Sequence, residues 1–174
     1  MIFTGFKRKS NQIFFNKNWQ ELLEKSSLVS NGNIKNALII VNSQIEKDAV
    51  ENVLVEILKL SVDKIDCIIF QQKIKKEQRN LAIITPKDFG WNGKVPSEKL
   101  KNILTKNYDL LINYSKVENV YVNLLILHCK VAFRVGFGHL NKKLYDFIVK
   151  CDPTEISLFH TELIKYLKIL KKIE

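Results

Sequence analysis

Short apolar runs that pass directly into helix-start signals constrain the fold of this chain more than any other feature. The run Ala37–Val41 is continuous, rich in β-branched residues and bounded by polar residues. Such a run is typical of a strand that is buried on both faces of a parallel sheet. Ser43 then precedes Glu46 by three residues, and this capping-box spacing predicts that a helix begins there.

A second junction of the same kind lies in the other half of the chain. The buried strand is predicted over Leu110–Ile112, and Ser115 again precedes Glu118 by three residues. We therefore predict a second capping box there, with a helix that continues to about His128. Further strands are predicted over residues 65–70, 132–137 and 145–149, with a short one over 81–84.

Strands that alternate with helices in this way predict an α/β fold. The expected architecture is a three-layer, Rossmann-like or flavodoxin-like domain with a mostly parallel sheet over residues 37–174. The connection between the strands at 132–137 and 145–149 is short for a helical crossover, so we predict an antiparallel hairpin at the sheet edge. Residues 1–36 form an irregular or partly helical N-terminal segment, with a short helix over 18–25.

The ends of the predicted strands are where a ligand would bind in such a sheet. Two helix N-termini are expected at this edge, and they would favour a phosphorylated or carboxylated ligand. The alternative is that both serines there act only as helix caps. A loop with Trp91 between two glycines either plugs this edge or lines a pocket. The candidate ligand-binding residues are Asn42, Ser43, Trp91, Asn92, Asn113, Tyr114 and Ser115.

The net charge of +10 raises a second hypothesis, contact with RNA or a ribonucleoprotein. Phe14, Phe15 and Trp19 lie near one of two basic clusters, where they would stack on bases or else dock on the core. Only three of the 28 basic residues are arginine, so codon bias toward lysine is an alternative source of the charge. The candidate nucleic-acid-binding residues are Lys7, Arg8, Lys9, Lys73, Lys75, Lys76 and Arg79.

Several classes of site are not expected. No glycine-rich phosphate loop follows the first strand, and no nucleophile elbow occurs. The three cysteines and three histidines are too dispersed for a zinc pattern. We therefore predict no catalytic residue, no metal and no cofactor. No apolar stretch reaches the length of a membrane span and no secretory signal precedes the domain, which predicts a cytoplasmic protein with no membrane partner.

Three motifs in the second half carry a family resemblance. They are Asp88–Gly93, with the sequence DFGWNG, Tyr108–Tyr114 and Ala132–Gly136, and a Leu-rich tail from Glu162 also fits. The chain resembles an uncharacterised domain-of-unknown-function family of small cytoplasmic proteins from Bacteroidetes bacteria. This resemblance implies a bacterial origin and transfers no activity.

Three functions follow as alternatives from these observations. The first is a non-catalytic binding protein associated with RNA or a ribonucleoprotein. The second is a small-molecule enzyme or sensor that takes a phosphorylated or carboxylated ligand at the strand ends. The third is a degenerate Rossmann-like module for protein interaction. The sequence favours the first and predicts no particular oligomeric state.

Overall fold

A six-stranded parallel sheet organises the chain. This computed structural model describes residues 2–29, 32–74 and 83–174, with the backbone alone at 2–4. The strands are β1 (Ala37–Val41), β2 (Ile65–Phe70), β3 (Ile83–Ile84), β4 (Asn107–Tyr108), β5 (Leu110–Asn113), β6 (Lys130–Val131), β7 (Arg134–Phe137) and β8 (Phe147–Val149). The helices are α1 (Ile2–Ser26), α2 (Gln44–Leu58), α3 (Glu98–Thr105), α4 (Val120–His128) and α5 (Ile156–Ile169).

The strand order of the main sheet is β3-β2-β1-β5-β7-β8, and every pairing in it is parallel. The chain builds from β1 toward one edge and then returns to add β5 on the other side of β1. This is the order of the Rossmann dinucleotide-binding fold, in which the strand order reverses at the centre of the sheet. The reversal here lies between β1 and β5, so the crevice at their carboxyl ends is the expected ligand position. β4 and β6 form a separate two-stranded ladder.

The predicted antiparallel edge hairpin is wrong. β8 runs parallel to β7, with Val135 opposite Phe147. The connecting segment 138–146 crosses back through one 3₁₀ turn, Lys142–Leu144, and Leu144 is buried in the core beside α4. A single packed turn therefore makes the parallel crossover, which usually requires an α-helix. The short connection suggested a hairpin because a helix would not fit in it.

Helices cover both faces of the sheet. α2 and α5 pack on one face, and α3 and α4 pack on the other. Residues Val120–Leu127 of α4 are all buried, because the sheet lies against one side of this helix and α1 packs along another. A helix that is apolar all round needs such cover. The three-layer α/β prediction is confirmed, with α1 added outside α4.

The N-terminal helix is longer than the short helix predicted over 18–25. α1 spans 25 residues, and its apolar side chains do not form a regular stripe that periodicity could detect. Hydrogen bonds fasten its first half to the loop at 86–93. Lys7 Nζ donates to the carbonyls of Pro86 and Phe89 at 2.8 and 2.9 Å, and Asn11 Oδ1 accepts from the Gly93 amide at 2.7 Å.

Arg134 fastens the other end of α1. This arginine lies in β7, and only 2% of its surface is exposed. Its guanidinium donates to the Ser26 carbonyl at 3.1 Å, to Ser26 Oγ at 2.9 Å and to Ser27 Oγ at 3.0 Å. A cation is favourable at the C-terminus of a helix because of the helix dipole. Hydrogen bonds thus hold α1 to the rest of the domain in its first half and at its C-terminus.

Candidate ligand site at the strand ends

The junction between β1 and α2 begins a helix where the sequence predicts one, with Ser43 as its N-cap. Ser43 Oγ accepts from the Glu46 amide at 3.2 Å. The Glu46 carboxylate reaches back and accepts from the Asn42 amide at 2.9 Å. The predicted cap at Ser43 is therefore confirmed, whereas the carboxylate of the predicted capping box bonds to the Asn42 amide and not to the Ser43 amide.

The junction between β5 and α4 does not form the second predicted capping box. α4 begins at Val120, and its N-cap is Asn119, whose side chain accepts from the Tyr121 amide at 2.9 Å. The prediction that Ser115 caps this helix is wrong. The physical reason is a competing turn: Asn113 Oδ1 accepts from the Ser115 amide at 3.0 Å. This Asx turn directs the chain away from helical geometry at Ser115.

Asn113 is the buried support of that turn. Its amide nitrogen donates to the Tyr145 hydroxyl at 2.7 Å, and burial raises the pKa of Tyr145. The Tyr145 ring in turn lies over Gly136, where a Cβ atom would come within 2.8 Å of the ring. Glycine at 136 therefore lets Tyr145 approach β7 and meet Asn113.

Ser115 has a buried hydroxyl without a hydrogen-bond partner. Only 1% of the residue is exposed, and Oγ bonds to no other atom among the residues that the structure describes. Its carbonyl accepts from His139 Nε2 at 3.0 Å, which assigns the proton of a neutral imidazole to Nε2. An unpaired buried hydroxyl costs about 1–3 kcal/mol. Such a group in a native protein requires an explanation.

A cavity of about 370 Å³ opens at this place, beyond the carboxyl ends of β1, β2 and β5. It lies at the reversal point of the strand order, where ligands bind in open α/β sheets. α1 reaches this edge of the sheet and contributes a cation, Arg8. Arg8 is exposed, and no hydrogen bond or ion pair engages its guanidinium within the described part of the chain. The polar residues that line the cavity are Arg8, Asn42, Gln71, Gln72, Ser115, Glu118 and Asn119.

Asn42 gives the cavity a preformed wall. Its Oδ1 accepts from the Lys116 amide at 3.0 Å, and its carbonyl accepts from Gln71 Nε2 at 3.0 Å. Lys116 Nζ also pairs with Glu46 at 2.6 Å. These bonds join the two junctions to each other and to the end of β2, so the wall does not depend on a ligand for its shape.

Two of the predicted ligand-binding residues line this cavity, namely Asn42 and Ser115. Asn113 supports Ser115, and Ser43 caps α2. Tyr114 turns into the opposite core, where its hydroxyl lies 2.9 Å from His160 Nε2. Sequence reasoning assigned Arg8 to nucleic acid and did not select Gln71, Gln72, Glu118 or Asn119 as ligand residues.

The loop with Trp91 lies elsewhere. Asn92 Oδ1 accepts from Ser10 Oγ on α1 at 2.6 Å, and Trp91 is 47% exposed. Neither residue lines the strand-end cavity, so Trp91 neither plugs the crevice nor forms its wall. The loop packs against α1 instead: Gly93 has a φ of +73°, and a Cβ atom there would lie 2.1 Å from the Phe14 ring.

The predicted nucleic-acid residues divide into three groups. The Lys7 ammonium is engaged by backbone carbonyls, whereas Arg8, Lys9 and Lys73 are exposed. Lys75, Lys76 and Arg79 lie outside the described residues. The nearby aromatics serve packing, because Phe15 is buried, Phe14 contacts the Gly93 loop, and Lys143 Nζ lies 4.9 Å from the centre of the Trp19 ring.

The cysteines lie outside the strand-end cavity, and burial disfavours their thiolate forms. Burial raises the pKa of Cys67 and of Cys129 to about 12 and also raises the pKa of Cys151. Thiolates, the nucleophilic form, are therefore scarce near neutral pH. Within residues 2–29, 32–74 and 83–174, no three His, Cys, Asp or Glu side chains are grouped to hold a metal ion. The helices in the same ranges are too short or too polar to cross a membrane.

The parallel sheet, its strand order and the cavity at the reversal point define a Rossmann-type α/β domain. The chain belongs to a family of unknown function, DUF6913, whose model matches residues 7–170. The match begins within α1 and ends in the last helical region, so the family includes the helix that carries Arg8. No curated protein and no solved structure matches the chain. The predicted resemblance to an uncharacterised family is thereby confirmed, and a Bacteroidetes origin stays a prediction.

Proposed function

We propose that this protein binds a small anionic ligand, phosphorylated or carboxylated, in the strand-end cavity. The observation that carries the proposal is the buried, unpartnered hydroxyl of Ser115 in a residue that lines this cavity. A rotation about χ1 moves a serine hydroxyl among three staggered positions. A bound oxygen that accepts from Ser115 Oγ would offset the cost of leaving this group unpaired.

Arg8 supports an anionic ligand in preference to a neutral one. The guanidinium has a planar fork that matches two oxygens of a carboxylate or phosphate. Glu118 also borders the cavity, but each of its oxygens already accepts a hydrogen bond, one from Asn123 and one from Asn141. These bonds partly satisfy the acceptor oxygens of the Glu118 carboxylate. A bound anion would pair with the guanidinium of Arg8, which carries the opposite charge.

A matched pair of variants tests this proposal. Arg8→Gln and Lys9→Gln each remove one positive charge from neighbouring positions of α1, yet only Arg8 lines the cavity. We expect inorganic phosphate, titrated by calorimetry at low salt, to bind Arg8→Gln at least about tenfold more weakly, because a charge-assisted bond is lost. Lys9→Gln should bind as the wild type does.

Two results would contradict the proposal. One is an equal loss of phosphate affinity in both variants, which would mean that phosphate binding depends only on the net charge of the protein. The other is the absence of binding by phosphate and acetate to the wild type. Circular dichroism of both variants would establish that α1 is intact, since both positions are exposed and glutamine is a good helix former.

A second candidate function is contact with RNA, which the net charge of +10 and the exposed Arg8, Lys9 and Lys73 favour. Backbone contacts of this kind weaken as salt rises, because counterions are released on binding. Here Arg8→Gln and Lys9→Gln should weaken binding of a single-stranded RNA by similar amounts. RNA that co-purifies at low salt and is removed at high salt would support this candidate, and a lack of binding at low salt would exclude it.

A further inference from the structure

A second cavity, of about 340 Å³, adjoins the strand-end cavity. It lies between α1, the start of α4 and the segment that follows β7. The two cavities share Arg8 and Glu118, which border both of them. A ligand held at Arg8 in the first cavity would therefore lie at the edge of the second.

The second cavity is lined mainly by neutral polar side chains, which suit uncharged polar groups of a ligand better than a second ionic group. Apart from the two shared charges, its polar side chains are amides and one imidazole: Gln12, Asn16, Asn123, His139 and Asn141. Side-chain amides both donate and accept, as a hydroxyl group does. An ionised carboxylate accepts only, so a ligand group beside Glu118 would be a donor that shares its oxygens with Asn123 and Asn141.

His139 adds an imidazole to this surface. Its Nε2–H donates to the Ser115 carbonyl, and the imidazole stacks on Phe137 at a distance of 5.8 Å between ring centres. The second cavity thus combines the Glu118 carboxylate and the His139 imidazole with side-chain amides, and Gln12 Nε2 donates to Asn16 Oδ1 at 3.0 Å within it. Several neighbouring hydroxyl groups would satisfy this set.

We infer that the ligand of the proposed site is an anionic polyol, namely a sugar that bears a phosphate or a carboxylate group. The anionic group binds Arg8 and Ser115 in the first cavity, and the hydroxyl groups bind the amides, Glu118 and His139 in the second. This inference rests on the proposed function and adds the class of ligand.

Calorimetric titration with matched ligands tests the inference. The probes are ribose 5-phosphate and glucose 6-phosphate against inorganic phosphate, glucuronate against acetate, and uncharged ribose and glucose. We expect at least one sugar anion to bind about tenfold more tightly than its simple anion, which corresponds to two or so neutral hydrogen bonds. The phosphate and carboxylate arms identify which anionic group the site prefers.

Three glutamine and asparagine variants of α1 locate the added affinity. Gln12→Leu and Asn16→Leu remove amides that line the second cavity, whereas Gln20→Leu removes an exposed amide of the same helix outside both cavities. The advantage of the sugar anion should fall severalfold in the first two variants and persist in Gln20→Leu. Simple anions should bind all three variants equally.

The outcomes separate this inference from the proposed function. If sugar anions bind no more tightly than simple anions, or if their advantage survives in both Gln12→Leu and Asn16→Leu, the inference is overturned while the anion site stands. If no anion of either kind binds in a manner that depends on Arg8, the proposed function fails and the inference fails with it.

Discussion

The junctions that follow β1 and β5 look alike in sequence and behave differently in the folded protein. Each has an asparagine at the end of the strand, then a serine, then a glutamate three residues after the serine. In the first, serine directly follows Asn42 and caps α2. In the second, Tyr114 separates Asn113 from Ser115, so the asparagine side chain reaches the Ser115 amide and forms a turn.

With one residue inserted, the asparagine bonds to the serine amide, and the Ser115 hydroxyl has no partner among the described residues. The first junction satisfies its own polar groups, because Ser43 Oγ accepts from the Glu46 amide and the Glu46 carboxylate accepts from the Asn42 amide. The second junction leaves Ser115 Oγ buried and unpaired beside a cavity, and its helix begins five residues later with Asn119 as the cap. A capping pattern therefore identifies a structural serine only when the helix begins directly after that serine.

We expect the largest difference between the junctions when each asparagine is replaced by alanine and the free energy of unfolding is measured. Asn113→Ala leaves the buried Ser115 amide and Tyr145 hydroxyl without partners, and we expect a loss of about 2–3 kcal/mol in the free energy of unfolding. Asn42→Ala removes bonds at a half-exposed position that water can reach, so the expected loss is about 1 kcal/mol. Urea denaturation measures both values. Equal losses would contradict the different burial of the two side chains.

His160, which contacts the inserted residue Tyr114 in the core, makes the stability of the protein sensitive to pH. The Tyr114 hydroxyl meets His160 in the core, and burial lowers the pKa of His160 below the ordinary value of 6.5. The unfolded chain therefore binds more protons than the folded protein as the pH falls below about 6.5. We expect the free energy of unfolding to decrease from pH 7 toward pH 5, as denaturant titrations at several pH values would reveal.

The variant His160→Gln checks the source of that decrease. Glutamine does not titrate, so this variant should lose less stability than the wild type over the same pH interval. A wild-type stability that is constant from pH 7 to pH 5 would contradict the account, and so would an unchanged decrease in His160→Gln.

The two serines should respond to the same substitution with opposite signs. Ser43→Ala removes a helix cap and should lower the free energy of unfolding by about 1 kcal/mol. Ser115→Ala removes an unpaired buried hydroxyl and should leave stability unchanged or raise it by up to about 1 kcal/mol. The same Ser115→Ala protein should bind phosphate more weakly, whereas Ser43→Ala should bind it normally.

A gain in stability together with a loss of affinity is the pattern of a residue kept for binding. Thermal or urea denaturation and a phosphate titration on the same samples provide both values. If Ser115→Ala is destabilised as much as Ser43→Ala and its affinity for phosphate is unchanged, Ser115 is a structural residue like Ser43. The proposed functional difference between the two junctions would then be wrong.

Local signals explain how far the sequence alone could predict the fold. β1, β5 and the start of α2 are predictable, because a buried β-branched run and a capping pattern depend only on residues that are adjacent in the sequence. The direction of β8, the start of α4 and the extent of α1 are not. Each depends on tertiary contacts, such as the packing of Leu144 beside α4 or the bonds from Arg134 to the end of α1.

The same limit applies to the site. Asn42 and Ser115 were selected because ligands bind beyond the carboxyl ends of parallel strands, which needs only the order of elements. Arg8 was assigned to nucleic acid, because its place in the cavity follows from the position of α1 over α4, and no local pattern encodes that position.

Nuclear magnetic resonance provides the most direct test of the central claim, that the β5–α4 junction is a ligand site. The measurement is a titration of the ¹⁵N-labelled protein with inorganic phosphate. We expect saturable shifts concentrated on the amides of Ser115 and Asn119, together with the side chain of Arg8. Shifts spread over exposed lysines such as Lys9, Lys17 and Lys73 without saturation, or no shifts at all, would contradict the claim.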